Sequence, residues 1–195
     1  MNITYVTTNI GKVKSLQRHL EPYQIGVIQK AVELPEPRSS DVKLIAEHKA
    51  RSAYKILKEP LVVLDAGFYI PSLNGFPRAF VNFTLETIGL EGILTLVGGK
   101  ERDCEFRECL AYMDGTQTEP ICFTSAIKGF IAEKPKGKMQ NHLWSPLALI
   151  FVPPNTGRTL GEMTPEEYAS FWKDYPRESS CQKQFGEWYS AKIKS

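Results

Sequence analysis

ITYVTTNIGK, residues 3–12, joins an apolar run to a turn of small polar residues near the start of the chain. We expect a strand over residues 2–7 and, from the helical spacing of the apolar residues that follow, a helix over residues 12–20. A helix that begins directly after such a turn presents free backbone N–H groups and the positive end of its dipole. Thr8, Asn9 and Lys12 are therefore candidate ligands of an anion, and Lys12 carries the mobile positive charge that suits phosphate.

Three acidic residues farther along the chain are candidate ligands of a hard cation such as Mg2+, which prefers oxygen donors. Glu36 lies between two prolines, whose fixed φ angles give this loop an extended backbone. Glu47 lies within a helix expected from residue 40 or 41 to about residue 57. Asp65 follows an apolar run at 61–64, which we expect to be a buried strand that ends at residues 65–67 and resumes over residues 68–70. Carboxylates at the carboxyl ends of strands in open α/β sheets often face a ligand.

Each of these residues also has an ordinary structural interpretation. A turn that ends a strand would account for Asp65, and a solvated loop would account for Glu36. An exposed helix face would account for Glu47, and many helices carry a lysine such as Lys12 in the first turn. Taken together, however, a phosphate site and a cation site indicate a nucleoside polyphosphate as the ligand.

The composition limits the classes of protein to be considered. A length of 195 residues fits one domain, and a hydrophobic content of 42% supports a sizeable core. The net charge of +2, from 24 basic and 22 acidic residues, argues against a dedicated nucleic-acid-binding surface. We find neither an apolar stretch of about 20 residues that could cross a membrane nor a secretory signal pattern. We therefore expect a cytoplasmic protein that binds neither membranes nor nucleic acids.

The cysteines and histidines do not indicate a metal centre. None of the cysteines forms a C-x-x-C pair, and no two histidines have the spacing of metal ligands on a helix. We expect all four cysteines to be reduced and mostly structural, as is usual in the cytosol. These residues are Cys104, Cys109, Cys122 and Cys181.

The remaining pattern predicts a mixed α/β fold. We expect strands over residues 24–30, 104–113, 120–131 and 147–152, with the second and third of these antiparallel. Helices are expected over 80–87 and 91–97, from Thr164 onward, and over 178–193. Asn74, Gly75 and Phe76 lie in a turn-rich loop, where Phe76 could stack on a base or pack in the core. The resulting fold class is a long mixed β-sheet with flanking helices.

These segments together resemble the inosine triphosphate pyrophosphatase (Ham1-like) family. The resemblance runs through most of the chain, and it depends on the order and spacing of several short motifs. The matching segments are TNIGK (8–12), ELPE (33–36), LDAG (64–67), LNGFP (73–77), FVP (151–153) and RTLGEM (158–163).

The resemblance implies one domain over residues 1–195, with two lobes around a central cleft, that forms a homodimer. It also implies hydrolysis of inosine- and xanthosine-type triphosphates to monophosphate and pyrophosphate, with Mg2+, or Mn2+ as the alternative. Asp65 and Lys12 would be catalytic, and Glu36, Glu47 and Asp65 would hold the metal. The nucleotide would contact Thr8, Asn9, Lys12, Asn74, Gly75, Phe76 and Arg177.

Several positions depart from the pattern of this family. Acids are replaced by Ser15 and Leu64, and the site that reads the base loses an Asp and a His. The loss of groups that hydrogen-bond a base should change or relax base specificity. The alternative is a catalytically weak nucleotide-binding homologue that acts as a sensor or a partner. The other replacements are Ala66 for a hydroxyl residue, Arg78 for Gly, Ala148 or Ser145 for the Asp, and Pro176 for the His.

Overall fold

The computed structural model describes residues 1–176 and 180–194. The strands are β1 (Asn2–Val6), β2 (Gly26–Lys30), β3 (Leu61–Tyr69), β4 (Pro77–Arg78), β5 (Asp103–Met113), β6 (Ile121–Ile131) and β7 (Phe151–Val152). The helices are α1 (Ile10–Leu20), α2 (Val42–Leu57), α3 (Val81–Thr87), α4 (Gly89–Leu96), α5 (Pro165–Asp174) and α6 (Cys181–Lys192). No helix in this part of the chain combines the length and the apolar composition that a bilayer crossing needs.

The strands form a mixed sheet, as the sequence predicts. The order is β2-β1-β3-β5-β6-β7, and β4 pairs with β3. β1 is parallel to both β2 and β3, whereas β4 is antiparallel to β3 and β7 is antiparallel to β6. The chain divides into two compact units. Unit 1 comprises residues 1–66, 108–125 and 176–195, and unit 2 comprises residues 67–107 and 126–175.

Unit 1 buries β1 together with one face of each of its helices. Tyr5 of β1 and Leu16 of α1 are almost fully buried. Ala46, Ala50 and Ala53 of α2 are also buried, and their small side chains form one stripe at helical spacing. Farther along the chain, an aromatic cluster joins β5 and β6 to α6. Its members are Tyr112, Phe123, Phe185, Trp188 and Tyr189.

Unit 2 has its own core of aromatic and aliphatic side chains. Phe68, Phe106 and Phe151 contact one another through tilted and edge-to-face ring geometries, which are the arrangements that aromatic pairs prefer. Ile93 of α4 and Leu147 lie in the same cluster and are fully buried. The unit therefore has an apolar centre of its own.

Most of the predicted helices and strands are confirmed, including α3, α4, β5 and β6. α1 begins at residue 10 rather than 12 because Asn9 caps it, with its Oδ1 accepting a hydrogen bond from the Lys12 amide at 3.1 Å. Asp41 is the cap of α2. Thr164 begins α5 as predicted, and it forms a capping box with Glu167. All four cysteines are free thiols, as expected.

The predicted break in this strand at residues 65–67 is wrong, and the predicted resumption at residue 68 is the second half of the same strand. β3 continues to Tyr69, because its residues Phe68 and Tyr69 pair with Arg78 and Pro77 of β4. Gly67 permits this pairing, since a Cβ atom there would lie 2.8 Å from the Arg78 carbonyl oxygen. Asp65 is therefore held in the middle of a strand, where its backbone is fixed on both sides.

Three other boundaries also differ from the prediction. The expected strand at 147–152 is confirmed only for residues 151–152. Residues 146–149 instead form a 3-10 turn that Ser145 caps and Pro146 begins. β2 starts at Gly26 rather than 24, since Gln24 has a left-handed φ of 56° at the end of a preceding turn. α6 starts at Cys181, and residues 178–179 of the predicted helix lie outside the described residues.

Candidate active site

The turn after β1 places Lys12 beside β3. The Thr7 hydroxyl accepts a hydrogen bond from the Asn9 amide at 3.1 Å, and this contact shapes the turn. Thr8 is exposed at the turn. The Lys12 ammonium donates to the Leu64 carbonyl oxygen at 3.1 Å. Lys12 is thus fixed next to Asp65, the residue that follows Leu64.

Asp65 and Glu36 both contact a residue that the sequence analysis did not single out, Lys49 of α2. The Lys49 ammonium lies 3.0 Å from Asp65 Oδ1, and it also forms an ion pair with Glu36 Oε1. The side chains of Asp65 and Lys49 are only 13% and 18% exposed, whereas that of Glu36 is 66% exposed. Two carboxylates, one buried and one accessible, therefore converge on one point.

The pKa values of the two lysines are shifted in opposite directions. Burial lowers the pKa of Lys12, and the attraction of Asp65 only partly offsets that effect. Burial also disfavours the charged form of Lys49, but the charges of Asp65 and Glu36 and their hydrogen bonds outweigh it, so that its pKa is raised. Direct ion pairs therefore keep Lys49 in its charged form and balance that charge. For Lys12, a negatively charged ligand would favour the ammonium form.

The structure does not bring Glu47 to the same point. Its carboxylate lies 3.5 Å from Arg51 and 3.9 Å from Lys43, both one helical turn away on α2. Cys122 of β6 also approaches it, with the sulfur 3.7 Å from Oε1. Within residues 1–176 and 180–194, no three His, Cys, Asp or Glu side chains form a group that could hold a metal ion.

The donor set formed by Glu36 and Asp65 nevertheless fits a magnesium-type ion that arrives with a polyphosphate. Such ions keep several water ligands, and proteins bind them through one or two carboxylates together with the phosphates of the substrate. Both carboxylates already face one cation, the ammonium of Lys49. Glu36 and Asp65 are therefore the residues that would hold the metal.

The candidate nucleotide loop lies in unit 2. Asn74 has a left-handed φ of 54°, and Gly75 follows with a φ of 85°. Phe76 is 37% exposed, so part of its ring is accessible for stacking. Arg78 also has a left-handed φ, 57°, and its guanidinium donates to the Asn74 carbonyl oxygen at 3.2 Å. Arg177, the last candidate, lies outside the described residues.

The two positions at which the family would carry an Asp for the base have different surroundings in unit 2. Ser145 caps the 3-10 turn, and its hydroxyl oxygen accepts a hydrogen bond from the Leu147 amide at 3.3 Å. Ala148 is buried within the core of unit 2. Neither residue provides a carboxylate for a base.

The sequence analysis missed Lys49 and Glu108. Lys49 had a detectable signal, because it is a cation on the stripe of α2 that otherwise carries Val42, Ala46 and Ala53. Glu108 is a buried acid in β5, only 3% exposed. Its hydrogen-bonding neighbours come from two other parts of the sequence, Ser125 and the adjacent pair Cys181 and Gln182, so no local pattern indicated it.

Comparison with known proteins identifies relatives of this chain. The model of the Ham1 family matches residues 3–172. A dITP/XTP pyrophosphatase from Methanopyrus kandleri is 33% identical over 194 residues, covering 99% of this chain and 98% of the relative. One from Thermococcus kodakarensis is 34% identical, covering 86% of this chain and 88% of the relative.

Solved structures share the fold. A HAM1 protein from Coxiella burnetii matches with a TM-score of 0.77 at 23% identity, covering 100% of this chain and 98% of its own. The Ham1 protein of Staphylococcus aureus matches with a TM-score of 0.73 at 19% identity, covering 100% and 98%. With the family model matching most of the chain, these findings lead to one conclusion: the chain belongs to the Ham1 family.

Proposed function

We propose that this protein is a nucleoside triphosphate pyrophosphatase that hydrolyses inosine- and xanthosine-type triphosphates to monophosphate and pyrophosphate. The relatives named dITP/XTP pyrophosphatase support this assignment at about one-third identity over most of the chain. The observation that carries it is the cluster in unit 1, where Lys12, Lys49 and Asp65 lie together with Glu36. Two cations suit the phosphates, and two carboxylates suit the metal that accompanies them.

Each residue of this cluster has a proposed role in the reaction. Lys12 binds phosphate oxygens and stabilises the charge that develops on them as the phosphoanhydride bond breaks. Lys49 is paired with carboxylates in the free protein, and a bound triphosphate offers it new oxygen partners. Asp65, held rigidly within β3, orients the attacking water, while Glu36 approaches from its exposed loop.

Metal dependence is general among the pyrophosphatases of this family. We propose Mg2+ as the ion, with Mn2+ as the alternative, held by Glu36 and Asp65. Bound there, a divalent cation supplies charge neutralisation on the phosphates and a polarised water molecule. Glu47 would take part only if its contacts with Arg51 and Cys122 were exchanged for a metal.

The other assignments concern the base, the assembly and the cellular location. The base would contact Asn74, Gly75 and Phe76, with Arg177 as a donor to an oxo group. We propose a homodimer that uses the apolar surface around α3, where Phe80 and Phe83 are 50% and 66% exposed. Exposed apolar patches of this kind commonly mark protein interfaces. We further propose that the whole chain acts as one domain in the cytoplasm.

The second candidate is a nucleotide-binding homologue without appreciable turnover. The observation that favours it is the donor set: in the described part of the chain, Glu47 does not join Glu36 and Asp65. Such a protein would use the same two lysines to bind phosphates and would act as a sensor or a partner.

One experiment separates the two candidates. The purified protein is incubated with the triphosphates of inosine, xanthosine, adenosine and guanosine, with Mg2+ or Mn2+, and pyrophosphate release is measured. Calorimetry with the same nucleotides measures binding in parallel. Pyrophosphate release from inosine or xanthosine triphosphate is expected. Tight binding without release from any nucleotide would instead establish the second candidate.

A further inference from the structure

The Lys49 ammonium group lies between the two carboxylates that the proposed function assigns to the metal. It is 3.0 Å from Oδ1 of Asp65, and it forms an ion pair with Oε1 of Glu36. All three residues belong to unit 1. In the free protein, a cation of the chain itself therefore holds the place at which an incoming cation would meet both acids.

A divalent ion and this ammonium group compete for the same two oxygen atoms. A magnesium-type ion binds carboxylate oxygens at about 2.0–2.1 Å, so it would bring two positive charges into the space between Asp65 and Glu36. Like charges at such short range repel one another, and they do so most strongly where water is partly excluded. The side chains of Asp65 and Lys49 are only 13% and 18% exposed. The ammonium group must therefore move away when a metal binds these oxygens.

The two ion pairs of Lys49 differ in how readily they can be exchanged. Glu36 is 66% exposed in its proline-flanked loop, and exposed ion pairs are weak. The pair with Asp65 is largely buried, and the loss of one member of a buried pair leaves the other charge uncompensated. A metal alone would displace Lys49 from its carboxylates, and a polyphosphate alone would draw Lys49 away from Asp65. A metal–polyphosphate complex supplies a new partner to each of these groups.

We propose that Lys49 is an exchangeable counter-ion: it closes the metal site of the free protein to a lone divalent cation, and it moves to the phosphates when a metal–polyphosphate complex binds. This inference rests on the proposed function, which assigns Glu36 and Asp65 to the metal and a nucleoside triphosphate to the site. Metal and polyphosphate then enter together, and the free protein binds Mg2+ weakly on its own.

The test measures the binding of Mn2+ alone, without any nucleotide, by electron paramagnetic resonance of the free ion. Lys49→Met removes the charge from a side chain of similar length. Lys49→Arg keeps the charge, and its planar fork pairs with carboxylates more firmly than an ammonium group does. Lys43→Met is the matched control, because Lys43 lies on the same helix, is 56% exposed and faces Glu47 at 3.9 Å. Thermal unfolding confirms that each variant is folded.

We expect Lys49→Met to bind Mn2+ at least about fivefold more tightly than the wild type, the lower end of the coupling between two ligands. Lys49→Arg should bind Mn2+ less tightly than the wild type, and Lys43→Met should bind it as the wild type does. Adding Asp65→Asn to Lys49→Met should abolish the gain, because the ion loses its buried ligand.

The same variants are then titrated with inorganic pyrophosphate and Mg2+, where the effect should have the opposite sign. Lys49→Met should bind this complex less tightly than the wild type, since the phosphates lose a cation. A lysine that serves only as a phosphate ligand would weaken this complex without any gain in the affinity for Mn2+ alone.

Three results would overturn the proposal. The first is unchanged Mn2+ affinity in a folded Lys49→Met variant, and the second is an equal gain in Lys43→Met, which a general effect of net charge would produce. The third is a gain that persists when Asp65→Asn is added, since the ion would then lie elsewhere. If Lys49→Met does not fold, Lys49→Arg decides, and a Mn2+ affinity equal to that of the wild type would refute the exchange. Absence of turnover with the opposite shifts intact would refute only the proposed enzyme activity.

Discussion

Replacement of Asp65 by Asn tests the centre of the proposed site, because it removes one charge and preserves the shape of the side chain. The Asp65 carboxylate is largely buried and accepts a hydrogen bond from the Lys49 ammonium at 3.0 Å. A hydrogen bond to a charged group contributes about 1.5–3 kcal/mol to stability. The amide oxygen of Asn can still accept from Lys49, and Lys49 keeps Glu36. The loss should therefore lie near the lower end, about 1.5 kcal/mol.

The effect on activity should be much larger than the effect on stability. A loss of about 1.5 kcal/mol corresponds to a fall in Tm of about 3–6 °C for a chain of this size. A carboxylate that orients or deprotonates water contributes a factor of about 10²–10⁴ to rate, so kcat/KM should fall at least about 100-fold. Pyrophosphate release from the best substrate and a thermal unfolding curve measure the two quantities on the same sample.

A matched control is Glu59→Gln, which removes one charge from an ion pair away from the cluster. Glu59 contacts Lys30 at 2.7 Å, and both side chains are about one-third exposed. An exposed pair contributes about 0–1 kcal/mol, so only a small change in Tm and none in activity are expected. Retention of more than about half of the activity by a folded Asp65→Asn variant would remove Asp65 from the reaction. A variant without a cooperative unfolding transition would instead show that Asp65 is needed for folding.

Three further changes test the lysine site, the loop and the core. Lys12→Ala should lower kcat/KM about tenfold or more, since a charge-assisted phosphate contact is lost, and unchanged kinetics would show that Lys12 does not bind the phosphates. Arg78→Gly should raise Tm by about 2–4 °C, because a left-handed φ of 57° costs a non-glycine residue about 1–2 kcal/mol. The greater freedom of glycine in the unfolded chain offsets part of this gain. A lower Tm would mean that the contacts of Arg78 outweigh the strain. Burial lowers the pKa of His19 to about 4, so the unfolded chain takes up this proton first as pH falls, and about 3 kcal/mol of stability should be lost between pH 6.5 and pH 4. Denaturant unfolding across this range should show that His19→Leu loses less stability than the wild type, and parallel curves would contradict the assignment.

The parts of the fold that the sequence predicts are those with a local cause. Asp41 and Thr164 each cap the helix that follows, and the long strands β5 and β6 were evident from their pattern. The continuity of β3 through residues 65–67 was not predictable in this way. It depends on pairing with β4, whose two residues give no strand signal of their own.

The candidate site shows the same division between local and distant causes. The position of Lys12 follows from the turn that precedes it, so it could be proposed from residues 3–12 alone. The convergence of Glu36, Lys49 and Asp65 depends on how a loop, a helix and a strand pack, and no spacing in the sequence specifies it. The separation of Glu47 from the other acids was missed for the same reason, because its distance from them is set by the face of α2 on which it lies.

The way in which unit 1 is divided along the chain has a consequence for biosynthesis. Glu108 and the Cys181 that contacts it are 73 residues apart in the sequence. At the usual rate of about 5–20 residues per second, the ribosome needs roughly 4–15 s to proceed from one to the other. During this interval the nascent chain already contains Lys12, Asp65 and Glu108, but α6 has not yet been made. The enclosure of the Glu108 side chain must therefore be a late event in translation, and a chain released before α6 would leave that side chain open to water.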